Sequence, residues 1–384
     1  MARPAGARRW LLVACLLATT AAGAGEAPQT AASCVPGHPE LARGFSLTGW
    51  FDEAVARPPE GAQLKRLRER GFTHVRLPVA AESVMARFAP PAAIAAKMRA
   101  IGAGLDRLGA LGYAVVVDLH GGARLAELFH GDPAAAREAV IDAWERLGPL
   151  VEARAERKVA AEVLNEPPLG DDAWKPMQAD IVAAMRRVMP HATFIVSTGG
   201  PQRVERLTAS TPLADPGTVH AVHYYDPMVF THQGADWIRP DPIGWLQGVP
   251  FPIRAGDPKM AAVAAAVRAG APASVTSYLG ELAGRSFGVA DIERDMRALG
   301  AWSRANGRTV VIGEFGVHRA FASPHDRALW LAAVATAAEA NCIGWTHWDY
   351  RDGFGFADAA TGELDEAVLA ALTGRRPAPA APRP

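Results

Sequence analysis

Apolar residues follow two alternating rhythms along this chain. Short β-branched and aromatic runs occur at 45–50 (FSLTGW), 73–78 (THVRLP), 114–119 (AVVVDL), 160–165 (AAEVLN), 193–197 (TFIVS), 219–224 (VHAVHY), 309–314 (TVVIGE) and 342–348 (CIGWTHW). Between them Ala, Leu and Arg recur at helical spacing, near 60–70, 92–111, 133–157, 173–189, 202–209, 289–305, 324–340 and 363–373. The first rhythm predicts strands and the second helices. Asp132-Pro133 and Ser323-Pro324 each set an N-cap residue before a proline at the first helical position, which marks two helix starts. Alternating strands and helices imply parallel strands joined by crossovers, so the fold class is α/β. Eight units suit a closed (β/α)8 TIM barrel better than an open sheet, because closure leaves no strand edge unpaired. One connection is out of scale. The segment 226–288, after the sixth strand, carries Phe230, Trp237, Trp245, Phe251 and its own helical piece near Lys259 to Arg268. Loops of that length usually serve a function.

A barrel predicts where chemistry sits, since active sites of this fold form where strands end and the next loops begin. Polar residues stand at those points: Arg76 on the second run, Asp118 and His120 on the third, Asn165 and Glu166 on the fourth. His223 and Tyr225 end the sixth, Glu314 the seventh and Trp348 the eighth. Residues two apart share a strand face, which pairs Asp118 with His120 and His223 with Tyr225. The fourth and seventh strands of an eight-stranded barrel face each other, so Glu166 and Glu314 are placed to meet over its mouth. Two carboxyls about 5–5.5 Å apart are what retaining glycoside hydrolysis needs, one as nucleophile and one as acid and then base. Each residue also has a plainer reading. A Glu before Pro is usually a solvated loop residue, Arg76 could be a barrel-filling ion-pair partner, Glu162 a structural one, and Asp118 an orienting group. Trp144, Trp302 and Trp330 lie in predicted helices and read as packing. The ordered set carries the argument, not any one member.

Composition narrows the partners. Lys plus Arg number 40, as do Asp plus Glu, so no basic excess suggests nucleic acid. Hydrophobic residues make up 49% of the chain, enough for a large core. No CxxC or HExxH spacing is present, and neither a metal nor a cofactor is expected. A serine hydrolase lacks its GxSxG turn and a phosphoryl-transfer enzyme its phosphate loop. Arg3, Arg8 and Arg9 precede the apolar stretch Trp10 to Ala18 and the small residues Ala22-Gly23-Ala24, which reads as an export signal over 1–24. That stretch is too short to span a bilayer. Leu12-Val13-Ala14-Cys15 also looks like a lipoprotein box, though with a very short apolar core before it. An arm at 25–43, one barrel domain at 44–374 and a Pro/Ala-rich disordered tail at 375–384 complete the expected layout. Export implies a secreted or periplasmic protein, with no membrane span and a monomer expected. In that compartment Cys34 and Cys342 could pair, or stay a free thiol and a buried core residue.

The motifs together resemble glycoside hydrolase family 5, the cellulase-like enzymes, from about Phe45 to Asp352. LNEP resembles the family's acid/base motif, which would make Glu166 the proton donor and Asn165 its neighbour. GEFG resembles the nucleophile motif and points to Glu314. HVRLP carries Arg76, which would orient the nucleophile, and DLHG carries His120, which would line the cleaved-sugar subsite. HYY resembles the family's His-x-Tyr, giving His223 and Tyr225, and THW places Trp348 as the sugar platform. The resemblance implies a retaining endo-β-1,4-glucanase acting on a β-linked polysaccharide or oligosaccharide. A β-mannanase, an exo-β-glucosidase, a periplasmic hydrolase that trims exopolysaccharide and a non-catalytic carbohydrate-binding barrel are the alternatives. Trp50, Trp237 and Trp245 offer further flat faces for sugar rings. Arg76 and Tyr225 are expected to hold Glu314 ionised. Glu166 is expected to be kept protonated by burial and by the nearby charge of Glu314.

Overall fold

The computed structural model describes residues 37–53, 56–266 and 272–374 of the 384-residue chain. Eight parallel strands close on themselves: β1 (Arg43–Ser46), β2 (His74–Ala80), β3 (Ala114–His120), β4 (Val159–Glu162), β5 (Phe194–Ser197), β6 (Thr218–Tyr224), β7 (Val310–Phe315) and β8 (Gly344–His347). Each pairs with the next in sequence, and β1 pairs with β8. All eight predicted strands are present with shifted ends. β1 begins at Arg43, and β4 stops at Glu162.

The predicted helices ring the barrel, from Gly61–Glu69 through Pro91–Ala110, Pro133–Glu152, Asp171–Val188, Val204–Ala209, Val289–Asn306 and Pro324–Ala340 to Glu366–Thr373. The two expected caps form: Asp132 accepts from the Ala135 N–H at 3.0 Å and Ser323 from the Asp326 N–H at 3.1 Å. Ala123–Gly131 is a helix the sequence rhythm did not predict. Glu82, forty residues upstream, accepts from the Gly122 and Leu125 N–H groups, so the start signal comes from outside the local sequence.

Strand alternation sorts the interior into layers. The lower layer is apolar and includes Val116, Ala160, Ile195, Val219 and Val311. Two residues further along, the same inward face carries Asp118 and Glu162, and the barrel becomes polar toward its C-terminal mouth. Apolar residues on the outward faces, such as Val75, Val117 and Ile312, join the helices in the larger core. The β6–β7 connection contains the short helix Met228–Thr231 and the helices Pro258–Ala266 and Ala273–Ala283, two more than the single helical piece expected. It packs on its own apolar residues, with Phe230 and Phe251 at 5.4 Å.

Cys342, before β8, is in a disulfide; Cys15 and Cys34 lie outside the described residues. So do the export signal, the arm up to residue 36 and the tail from 375. No helix among the described residues is long and apolar enough to cross a membrane.

Candidate active site

Arg76 organises the barrel mouth. It is 1% exposed, and its guanidinium donates from Nε and Nη2 to the two oxygens of Glu162, at 2.7 and 2.9 Å. Nη1 donates to Glu314 Oε1 at 2.6 Å and Nη2 to Asn165 Oδ1 at 2.7 Å. Asp118 Oδ2 lies 3.0 Å from Nη2. A planar fork with five N–H groups suits this position, and a lysine could not fill it. The plain readings of Glu162 and Asp118 are both right: each is a buried partner that fixes a neighbour. Asp118 also accepts from His120 Nδ1 at 2.8 Å, which turns the imidazole toward Trp348, stacked on it at 5.7 Å.

Glu314 reaches the mouth through a break in strand alternation. Val311 faces the barrel interior and Ile312 the outer core, so strict alternation would turn Glu314 outward. β7 carries one extra residue at Gly313, seen as register shifts against both β6 and β8. Such a bulge re-aims the side chain that follows it. Glu314 then faces inward, and Tyr225 Oη donates to its Oε2 at 2.9 Å. Gly316 has a separate reason: a Cβ there would stand 2.2 Å from the Trp348 carbonyl oxygen.

Glu166 sits on the turn after β4 with φ 38°, a left-handed backbone, and its carboxyl lies over the mouth beside His223. His223 Nδ1 lies 2.9 Å from Glu166 Oε1 and 3.5 Å from Glu314 Oε2. An oxygen of Glu166, one of Glu314 and a His223 nitrogen all fall within 4.8 Å of one another. The two carboxylates therefore meet as the sequence suggested. The Glu166 side chain is 41% exposed and that of Glu314 only 7%.

The expected protonation of Glu166 needs correction. Desolvation in the cleft pushes its carboxyl up, but the His223 hydrogen bond and the charges of His223, His120 and Arg76 outweigh that and hold it below the ordinary value. Burial lowers the His223 imidazole, yet Glu314 and Glu166 raise it more, and the net shift is upward.

The expected sugar platforms divide. Trp348 is half-buried beside His120, with the Arg76 guanidinium 5.8 Å from its ring. Trp237 is 57% exposed, edge-on to His318, and lines a cleft of about 290 Å³ with Glu166, His223 and Tyr225. Trp50 is not brought to the mouth. It is 8% exposed, stacked on Phe51 at 4.7 Å and packed over Gly104, where a Cβ would crowd both rings. Trp245 is likewise packed, under Arg239. Arg203 and Asp226 line the same cleft as Trp237 and were not expected there, though Asp226 directly follows Tyr225. Asp349 was also missed: it accepts from the Asp352 N–H at 2.6 Å and pins the loop after Trp348.

A model of the cellulase family, glycosyl hydrolase family 5, matches residues 35–353. Endoglucanase 3 of Fibrobacter succinogenes is 27% identical over 221 residues, 55% of this chain and 32% of that protein. Cellodextrinase A of Ruminococcus flavefaciens is 24% identical over 213 residues, 51% of this chain and 62% of that protein. The matches thus span less than two thirds of either relative. Among solved structures, Thermotoga maritima Cel5A in complex with cellobiose superposes with a TM-score of 0.68 at 22% identity, covering 87% of this chain and 98% of that one. At that identity the likeness is one of fold.

Proposed function

The chain belongs to the cellulase family, glycosyl hydrolase family 5, and from that premise we propose that it is a retaining endo-β-1,4-glucanase with Glu314 as nucleophile and Glu166 as acid/base. The observation that carries the reading is the approach of the two carboxylates to within 4.8 Å. Retaining enzymes hold them about 5–5.5 Å apart, while inverting enzymes need about 6.5–9.5 Å to admit water between them. Glu314 attacks the anomeric carbon and forms a glycosyl ester as Glu166 protonates the departing oxygen. Glu166 then removes a proton from water, which cleaves the ester. The exposure of each suits its part in this sequence, since the acid must reach a leaving group and later water, and the nucleophile is held by Arg76 and Tyr225. Asn165 has its oxygen tied to Arg76, which leaves an amide N–H to donate to a sugar 2-hydroxyl. His120 and Trp348 line the subsite of the cleaved sugar. The export signal read at 1–24 supports work in the periplasm or outside the cell.

Assayed on carboxymethyl cellulose, mannan, laminarin and xylan, the protein is expected to hydrolyse the first best. Viscosity should fall well before reducing ends accumulate, as internal cleavage requires. No release of reducing sugar from any of the four would sink the reading. Release without early loss of viscosity would replace endo by exo action.

The Glu166–His223 pair also sets a pH profile. The working form carries one proton on the pair. The shifts place the loss of that proton above the ordinary histidine value of 6.5 and the uptake of a second below the ordinary carboxyl value of 4.5. These steps belong to the pair, not to either residue alone. The alkaline limb of kcat/KM, which reports the free enzyme, is expected above pH 6.5. In His223→Gln only the Glu166 carboxyl can hold the proton, so that limb should move to lower pH. An unmoved limb would show that His223 does not share the acid's proton.

A further inference from the structure

The long β6–β7 connection has no role in the chemistry above, yet it walls a second cavity. This cavity, about 320 Å³, is lined by Tyr278, Arg285 and Phe287 from late in the connection, by Asp226 and Met228 at its start, and by Arg203. The last three also line the cleft that holds Glu166 and Trp237, so the two spaces adjoin. Two of the shared residues form an ion pair. Arg203 Nη2 donates to both carboxylate oxygens of Asp226 at 3.0 Å, and the two side chains are 35% and 30% exposed.

Position relative to the two carboxylates gives this space a direction. His120 and Trp348 stack on each other beside Arg76, and neither lines the cleft with Trp237. Of the two carboxylates only Glu166, the one that protonates the departing oxygen, lines that cleft, so the cleft receives the leaving half of the glycan. Beyond it comes the Arg203–Asp226 pair and then Tyr278, a half-buried aromatic ring. Charged donors and acceptors flanked by aromatic faces at either end match the alternating hydroxyl edges and apolar faces of a β-linked sugar chain.

We propose that the β6–β7 connection builds a distal leaving-group subsite, in which the Arg203–Asp226 pair and Tyr278 bind the sugars of a neutral β-glucan beyond the first one past the cleavage point. This rests on the glucanase reading. It predicts that rate rises with the number of sugars on the leaving side, because binding energy there lowers the barrier at the bond that breaks.

The test compares kcat/KM for cellohexaose with that for an aryl cellobioside, whose leaving group carries no sugar. In the parent the ratio should be large. In Arg203→Gln and separately in Tyr278→Ala it should fall about tenfold or more, as expected for losing a charged hydrogen bond or a stacking face. Taking a ratio within each variant removes any general loss from misfolding. A ratio within twofold of the parent in either variant overturns the subsite while leaving the glucanase reading intact. A parent inactive on both substrates overturns both.

Discussion

Replacing Glu314 by glutamine is expected to abolish turnover while cello-oligosaccharide binding persists. The amide keeps the size of the carboxylate but cannot form the glycosyl ester, so the reaction loses its first step. Removing a covalent nucleophile costs on the order of 10⁴-fold or more in kcat. Chemical rescue separates the two glutamates. In Glu314→Ala, azide can enter the space left by the nucleophile and attack an activated glycoside from that face, giving a product of inverted configuration. In Glu166→Ala with an activated aryl leaving group the glycosyl ester still forms, and azide then displaces it from the opposite face, giving the retained configuration. Two inversions make a retention, so the product's anomeric form reads out which residue was lost. Inverted product from Glu166→Ala, or residual turnover of Glu314→Gln within tenfold of the parent, would reverse or end the assignment.

The barrel was legible because each strand is short, apolar and set off by a helix of ordinary composition. Two kinds of feature were not. The first depends on partners distant in sequence. The helix Ala123–Gly131 is capped by Glu82, and the acidity of Glu166 depends on an imidazole 57 positions away. A local pattern contains neither. The second depends on departures from regular backbone. Alternation counted through Val311 and Ile312 sends Glu314 the wrong way, and the bulge at Gly313 corrects it. β4 likewise ends three residues before the predicted stop, and the chain reaches Glu166 in a left-handed backbone. Motif context located both acids in spite of this, since it records where the side chains must arrive and not how the backbone takes them there. Trp50 fails for the opposite reason. Its place at a strand end suggested the cleft, but the gap at Gly104 on the helix Pro91–Ala110 gives its ring a drier seat.

The same dependence on distant partners makes Arg76 the residue whose loss should be felt most widely. Its guanidinium is in contact with Glu162, Asp118, Asn165 and Glu314, from strands or turns on several sides of the barrel. Glu162 and Asp118 are almost wholly buried, and no cation other than Arg76 bonds to Glu162 among the described residues. Burial already raises the Glu162 carboxyl, with Arg76 opposing it. Arg76→Met keeps the volume but strands these acids. Removing one partner of a buried pair costs about 3–5 kcal/mol, which should lower the melting temperature of a domain this size by roughly 4–7 °C. Arg76→Lys should recover part of that stability but little activity, because an ammonium cannot span four acceptors in a plane. The double variant Arg76→Met with Glu162→Gln separates the two effects. Taking away the stranded charge should restore several degrees of stability while turnover stays lost, since Glu314 still lacks the donor that orients it. If Arg76→Met melts within about 2 °C of the parent, the buried ion cluster does not hold the mouth together, and the shape of the site must come from the apolar layer beneath it.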